Sequence, residues 1–313
     1  MSELRGGHQA GHGPGLAPAG HNPSGAQGER RVAVIGGSGF YDFPDLEARE
    51  EVTVETPFGR PSDAIIIGRL AGCPVAFLPR HGRGHRISPS ELPARANIYA
   101  LKSLGVEWVI SVSACGSMRE EIAPLDVVIP DQLFDRTRGR PSTFFGEGIV
   151  AHISFADPFC PVLSDTLYRA ALETGARVHR GGTYLCIEGP QFSTRAESRI
   201  YRQWGVDVIG MTALPEAKLA REAELCYATL AFATDYDVWH ETEAPVTVEL
   251  VVRNLLANVE TGKRIIKAAL PHVVVERTCP CARALADAII TQRDLIPPEA
   301  RRRLGLLIDK YLS

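Results

Sequence analysis

Arg31-Val32-Ala33-Val34-Ile35-Gly36-Gly37-Ser38-Gly39 and Trp108-Val109-Ile110-Ser111-Val112-Ser113-Ala114-Cys115-Gly116-Ser117 share one plan: a short apolar run ends in glycine and serine. Such a run bounded by turn residues reads as a buried strand entering a loop. Residues 226–233 repeat the plan and end at Thr234-Asp235, and residues 64–68 and 75–78 read as paired strands turned at Ala71-Gly72. Helical patterns fall between them, at 93–104, 163–173, 194–204 and 215–224. Further along, Val248, Val251, Leu255 and Val259 form the stripe of an amphipathic helix. Two more helices are expected at 281–291 and 298–312. Strands alternating with helices imply an α/β fold with a largely parallel or mixed sheet. Ligands of such sheets gather at the carboxyl ends of the strands, and there this sequence concentrates its Gly, Ser, Thr, Arg, His and Asp.

The composition fits one large domain. The 313 residues are 45% hydrophobic and 23% charged, with a net charge of −3. These values exclude a wholly disordered chain and a coiled coil. They also lack the basic surplus of a nucleic-acid binder. No apolar run is long enough to span a membrane and no secretory signal is visible. Residues 1–28 are rich in Gly, Pro, Ala and His and read as a disordered tail, followed by a core domain over 29–275 and a helical extension over 276–313. The seven cysteines are scattered without a CxxC pair. That spacing argues against a structural zinc site and against a secreted disulfide framework, and it points to a cytoplasmic protein. Cys279-Pro280-Cys281 reads as two free thiols near the end of a helical region.

Five segments carry candidate chemistry. The loop 36–39 fails the dinucleotide fingerprint, because Asp42 occupies its third small position and would face a pyrophosphate; no Walker A pattern exists either. What remains is a turn whose N–H groups and Ser38 hydroxyl suit one small anion. Arg80-His81-Gly82-Arg83-Gly84-His85-Arg86 places forked donors beside that anion. Ser113 adds a hydroxyl, while Cys115 reads as a small buried thiol and not a nucleophile. Residues 188–197, EGPQFSTRAE, run a strand through a rigid turn into a capped helix, with Phe192 able to stack on a flat ligand. Finally Asp235 and Asp237, two apart in an extended segment, point the same way and could accept hydrogen bonds from an aminated heterocycle.

Together these segments resemble the trimeric purine nucleoside phosphorylases, and among them the S-methyl-5′-thioadenosine phosphorylase branch. The motifs are VIGGSGFYD (34–42), RHGRGH (80–85), SACGS (113–117), DRT–RP (135–141), FADPFCP (155–161), EGPQFSTRAE (188–197), GMTALPEAKLA (210–220) and ATDYDVWH (233–240). The resemblance implies a nucleoside phosphorylase fold: a mixed central sheet, partly closed into a distorted barrel and flanked by helices. The implied assembly is a homotrimer, with pairing into a dimer of trimers left open. It implies that phosphate displaces a purine base at the sugar's anomeric carbon, with no metal or organic cofactor and phosphate as co-substrate. Ser38, Arg80, His81, Ser113, the Ala114 N–H and Thr212 would surround phosphate, and Met211 would lie against the ribose. Phe192 would stack near the base with Ser193 at its edge. Asp235 and Asp237, with Tyr236 between them, would meet N7 and the 6-amino group. Val248 and Val251 would form an apolar slot for a methylthio group, reached by His152 of a neighbouring subunit. The Asp-Tyr-Asp pattern resembles 6-aminopurine enzymes; relatives acting on 6-oxopurines typically carry Asn first. Phosphorolysis of a 6-oxopurine nucleoside or methylthioinosine is the alternative, and a non-catalytic nucleoside binder a distant third. Pro93-Ala94 departs from the usual Asn-Tyr beside the phosphate loop.

Overall fold

The computed structural model describes residues 29–37, 39–40, 42–240, 248–273 and 276–312, without the side chains of residues 248, 250 and 251. The strands are β1 (Arg31–Gly36), β2 (Glu47–Val52), β3 (Ile65–Leu70), β4 (Cys73–Pro79), β5 (Val106–Ser117), β6 (Val127–Ile129), β7 (Gln132–Arg136), β8 (Val178–Arg180), β9 (Thr183–Ile187), β10 (Val208–Gly210) and β11 (Cys226–Asp235). The helices are α1 (Ala94–Ser103), α2 (Pro161–Glu173), α3 (Arg195–Gln203), α4 (Ala213–Glu222), α5 (Val248–Val273) and α6 (Pro298–Leu312).

All strands join one mixed sheet in the order β2-β3-β4-β1-β5-β10-β9-β7, with β11, β6 and β8 branching from β5. The expected mixed sheet flanked by helices is therefore present. Among the described residues no pairing joins the end strands β2 and β7, so any closure is partial. The sheet is covered on both faces. In β1, Ala33 and Ile35 pack towards α1, α4 and α6, while Val32 and Val34 pack towards α2 and α5. That alternation is the two-residue period of a strand buried on both sides, which is why β1 reads as an unbroken apolar run. β2, by contrast, is Glu-Ala-Arg-Glu-Glu-Val, largely exposed at the sheet's edge. Charge there blunts pairing with a second sheet.

β5 organises the site. Its first half lies between β1 and β11, both parallel to it, with Ile35 opposite Ser111. Its last residues pair antiparallel with β10, Gly116 opposite Ile209 and Ser117 opposite Val208. Between these registers β1 has ended and β10 has not begun, so the sheet splits. The carboxyl ends of β1, β4, β5 and β11 open onto that split.

The segment 281–291 corrects one expectation. It forms a 3-10 turn, Pro280–Arg283, then further turns. Its backbone donors go elsewhere: the Leu285 N–H to Glu224 Oε1 at 3.0 Å and the Ile290 N–H to the Val150 carbonyl at 3.0 Å. Buried Cys281, Leu285 and Ala288 mimic a helical stripe without forming one.

Candidate active site

Arg80, the first residue past β4, is fully buried where the sheet splits. Its backbone N–H meets the Gly36 carbonyl at 2.9 Å. Its guanidinium donates to Val112 O (2.7 Å), Ile35 O (3.2 Å) and Ser111 Oγ (2.8 Å), and Nε donates to Glu216 Oε1 at 2.5 Å. It thus ties the carbonyl ends of β1 and β5 together where the sheet divides. Burial works against its charge, but Glu216 more than offsets this and holds the guanidinium above its ordinary value. Arg80 therefore underpins the anion loop, with most of its hydrogen bonds already spent on Glu216 and the split. Nothing local in the motif at 210–220 marks Glu216 for this role.

His81 follows, also buried. Burial and then the charge of Arg80 push its pKa down to about 4, so the ring is neutral near pH 7. Nδ1 lies 2.8 Å from the Ile87 carbonyl, which assigns the proton to Nδ1 and leaves Nε2 as an acceptor. The ring stacks on His85 with centroids 4.3 Å apart. Ser38 lies outside the described residues.

Hydroxyls gather on the far side of the split. Ser113 Oγ is 2.9 Å from Tyr184 Oη and 3.2 Å from Thr212 Oγ1. Thr212 sits before α4 and makes no side-chain cap there, so its hydroxyl stays with that of Ser113. Ala114 and Gly116 are the half-exposed members of the stretch 111–117. Tyr184 was absent from the sequence reading; only its place opposite the β10 register reveals it.

The acid pair ends β11. Asp235 Oδ1 accepts the Asp237 N–H at 2.8 Å, and Oδ2 lies 2.6 Å from Thr234 Oγ1. Helix α5 grips this strand end, with Asn254 Nδ2 donating to Thr234 O at 2.6 Å. Both carboxyls are buried, at 7% and 8% exposure, and Asp237 Oδ2 has no hydrogen-bond partner. Burial raises both pKa values, that of Asp237 to about 6 despite stabilising hydrogen bonds. Gly116 faces them across the ladder: a Cβ there would lie 3.0 Å from Asp235 Oδ1 and 3.2 Å from Asp237 Cβ. Only glycine gives the pair its room. Tyr236 turns to a separate cluster, stacked on His240 at 4.6 Å. Cys115 is buried with its pKa pushed up to about 12, consistent with an inert thiol.

The EGPQF turn closes on the same edge. Gly189 adopts φ +67°, and a Cβ there would come within 2.4 Å of Met211 Sδ. Glycine thus lets the turn press against Met211. Arg140 ties the turn down, donating to Met211 O (2.7 Å), Leu214 O (2.8 Å) and Glu188 O (2.5 Å). Beyond it, Ser193 Oγ is buried with no partner, while Phe192 is 45% exposed. The orphaned Ser193 hydroxyl and Asp237 oxygen are groups that a polar ligand would complete, since buried polar atoms rarely stay unpaired.

Two expectations stand apart. Val248 and Val251 begin α5, one to two turns ahead of Asn254, but their side chains lie outside the described residues. His152 is exposed, at a cavity of about 680 Å³ also lined by Asp157, Arg221 and Asp287 and by neither member of the acid pair.

Comparison with known proteins agrees with this arrangement. The family model described as "Phosphorylase superfamily" matches residues 31–271. The S-methyl-5′-thioadenosine phosphorylase of Geobacter sulfurreducens is 57% identical over 285 residues, covering 91% of this chain and 100% of the relative. That of Chloroflexus aurantiacus is 58% identical, covering 90% and 98%. A methylthioadenosine phosphorylase crystal structure from an Antarctic soil metagenomic library superposes with a TM-score of 0.85 at 50% identity, covering 88% of this chain and 98% of that one. The Schistosoma mansoni methylthioadenosine phosphorylase in complex with adenine has a TM-score of 0.76 at 38% identity, covering 80% and 93%. Fold, strand-edge geometry and relatives converge: the chain belongs to the phosphorylase superfamily and, within it, to the family of S-methyl-5′-thioadenosine phosphorylases.

Proposed function

We propose that the protein catalyses the phosphorolysis of 5′-methylthioadenosine to adenine and 5-methylthioribose 1-phosphate. The observation that carries this reading is the buried Asp235–Asp237 pair, with one orphaned carboxylate oxygen, at the same strand edge as the Ser113–Thr212 hydroxyls and the 80–81 loop. Phosphate rests among Ser38, His81, Ser113, the Ala114 N–H and Thr212, above the charge of Arg80. His81 Nε2, an acceptor, suits a protonated phosphate oxygen. Met211 lies under the ribose. A phosphate oxygen attacks C1′ as the C1′–N9 bond breaks; the bonding pair leaves with the base, and the sugar passes through an oxocarbenium-like state. Asp235, rigidly held, gives a proton to N7, so adenine departs neutral. Asp237 Oδ2 accepts from the 6-amino group, and Ser193 bonds the base edge under Phe192.

Adenine selectivity follows from the same pair. A 6-oxo group would bring an acceptor to an acceptor and leave both unpaired, a mismatch that discriminates strongly. Val248 and Val251 favour an apolar 5′-substituent. The chemistry needs no cofactor; phosphate is a co-substrate. We further infer a homotrimer or a dimer of trimers, in which His152 serves a neighbour's site; its exposure at a cavity that neither acid lines supports this. The described residues contain no helix long and apolar enough to cross a membrane, and seven unbonded cysteines support a cytoplasmic location.

Base release from methylthioadenosine, adenosine and inosine, each with and without phosphate, tests the proposal. Phosphate-dependent adenine release, fastest from methylthioadenosine, is expected. Hypoxanthine release alone would overturn the reading of the acid pair, and no release from any substrate would overturn the reaction.

A further inference from the structure

Four cysteines from three separate segments meet at the opposite end of β11 from the acid pair. Cys226 opens that strand, about 30 Å from Asp235 at strand rise. Cys160 is the N-cap of α2, and its backbone N–H is fixed to Tyr227 O at 2.8 Å. Cys279 and Cys281 flank Pro280 at the 3-10 turn that follows α5. The four sulfur atoms all lie within 4.8 Å of one another, and Cys226 Sγ and Cys279 Sγ are 3.3 Å apart. None is disulfide-bonded.

A tetrahedral zinc–thiolate centre, with Zn–S near 2.3 Å, holds its sulfurs about 3.8 Å apart. The observed spacings bracket that value. Ordinary apolar packing of cysteine gives no reason for four thiols from three separate segments to converge. The surroundings also suit thiolates. The Leu163 N–H, in the first turn of the 13-residue α2, points at Cys160 Sγ at 3.5 Å, a setting that favours a thiolate. Arg277 lies with Cys160, Cys226 and Cys279 around one small cleft. Cys281 also lines the 680 Å³ cavity, which offers an ion a way in.

We propose that Cys160, Cys226, Cys279 and Cys281 form a tetrathiolate site for a divalent transition-metal ion, zinc by its preference for this geometry, which clips the C-terminal segment to the core. Binding displaces the four thiol protons as four metal–sulfur bonds form. The clip has a structural consequence. The segment it anchors runs on to residues 288–290, which hold the neighbourhood of His152 through His152 N–H to Ala288 O (2.8 Å) and Ile290 N–H to Val150 O (3.0 Å).

The full chain, purified without chelator from cells lysed into a thiol-blocking reagent, tests this directly. Elemental analysis should find about one zinc per chain. Alkylation mapping should find the four cysteines protected until a chelator removes the metal. The metal-free protein reloaded with cobalt(II) should show the intense visible bands of a tetrahedral thiolate complex. Removing the ion should lower the thermal midpoint by roughly 5–10 °C. Cys279→Ser/Cys281→Ser should lose the metal and Cys73→Ser should keep it; if the double variant does not fold, the wild-type metal content still decides. Iron at the same stoichiometry would uphold the site and reassign its ion. Metal-free protein that takes up neither zinc nor cobalt would overturn the proposal, as would disulfides among these four cysteines in the blocked lysate. None of these readouts depends on phosphorylase activity.

Discussion

In the proposed reaction the carboxyl oxygens at the end of β11 divide the work of recognition from the work of proton transfer. Asp235 has both oxygens tethered, to Thr234 Oγ1 and the Asp237 N–H, whereas Asp237 keeps one buried oxygen open. A general acid gains from fixed geometry and a raised pKa, and an amino group needs an open acceptor. Asp235→Asn should lower kcat about 10²–10⁴-fold, the usual range for a lost general acid. Burial raises both carboxyls, that of Asp237 to about 6. The wild-type kcat should fall as pH rises through the raised pKa of Asp235, and Asp235→Asn should lose that limb. A variant that retained the limb would move the proton elsewhere. His81 makes a prediction of opposite sign for stability. Its folded pKa of about 4 lies below the ordinary 6.5, so the unfolded chain binds the proton first. Acidification from 6.5 towards 4 therefore destabilises the fold, by up to about 3 kcal/mol. Asp237 acts the other way between 6 and 3.8, since its folded form binds the proton first. Denaturant melts across that range should show His81→Gln losing less stability on acidification than wild type.

At the scale of elements, the site depends on where strands stop. The apolar runs ending in Gly-Ser or Thr-Asp were legible because a buried parallel strand has one composition and its exit loop another. β2 was not, since its charged edge position erases the apolar signal. The sheet's division beside β5 was also hidden: it depends on β1 ending opposite Ser111 and β10 starting opposite Gly116, and no local pattern encodes a register between distant segments. The same blindness concealed Glu216 as the partner of Arg80, 136 residues away, and the convergence of four cysteines. The residues proposed for phosphate and base could be named because their motifs are contiguous; their supports could not. Those supports carry measurable energy. Glu216→Ala would leave Arg80 buried without its counter-ion, and breaking such a pair typically costs about 3–5 kcal/mol, so the thermal midpoint should fall well below wild type. Gly116→Ala tests the opposite case, in which the fold survives and the site does not. A Cβ at 3.0 Å from Asp235 Oδ1 must push the pair aside by a few tenths of an ångström. Activity should drop at least about tenfold while the thermal midpoint moves little, since misplacing a reacting group by so small a distance slows catalysis.

For the whole molecule, the placement of His152 is the sharpest constraint. It is exposed, held through residues 288–290, and borders a cavity that neither Asp235 nor Asp237 lines. A single chain gives it no part in the site, whereas a cyclic assembly would present it to the next subunit. That arrangement predicts complementation between two impaired proteins. Asp235→Asn chains lack the acid but carry an intact His152, and His152→Ala chains are the reverse. In a mixed trimer, a His152→Ala protomer followed by an Asp235→Asn protomer brings a working acid pair and a working histidine to one interface. Random mixing by refolding or co-expression should give about one intact site in four, so at methylthioadenosine concentrations where His152→Ala alone is weak, activity should exceed the mean of the two parents. Size-exclusion with light scattering on the same samples should report a trimer or hexamer. Activity equal to the parental mean, in samples shown to contain mixed trimers, would mean that each chain builds its site unaided and that His152 serves the fold and not the substrate.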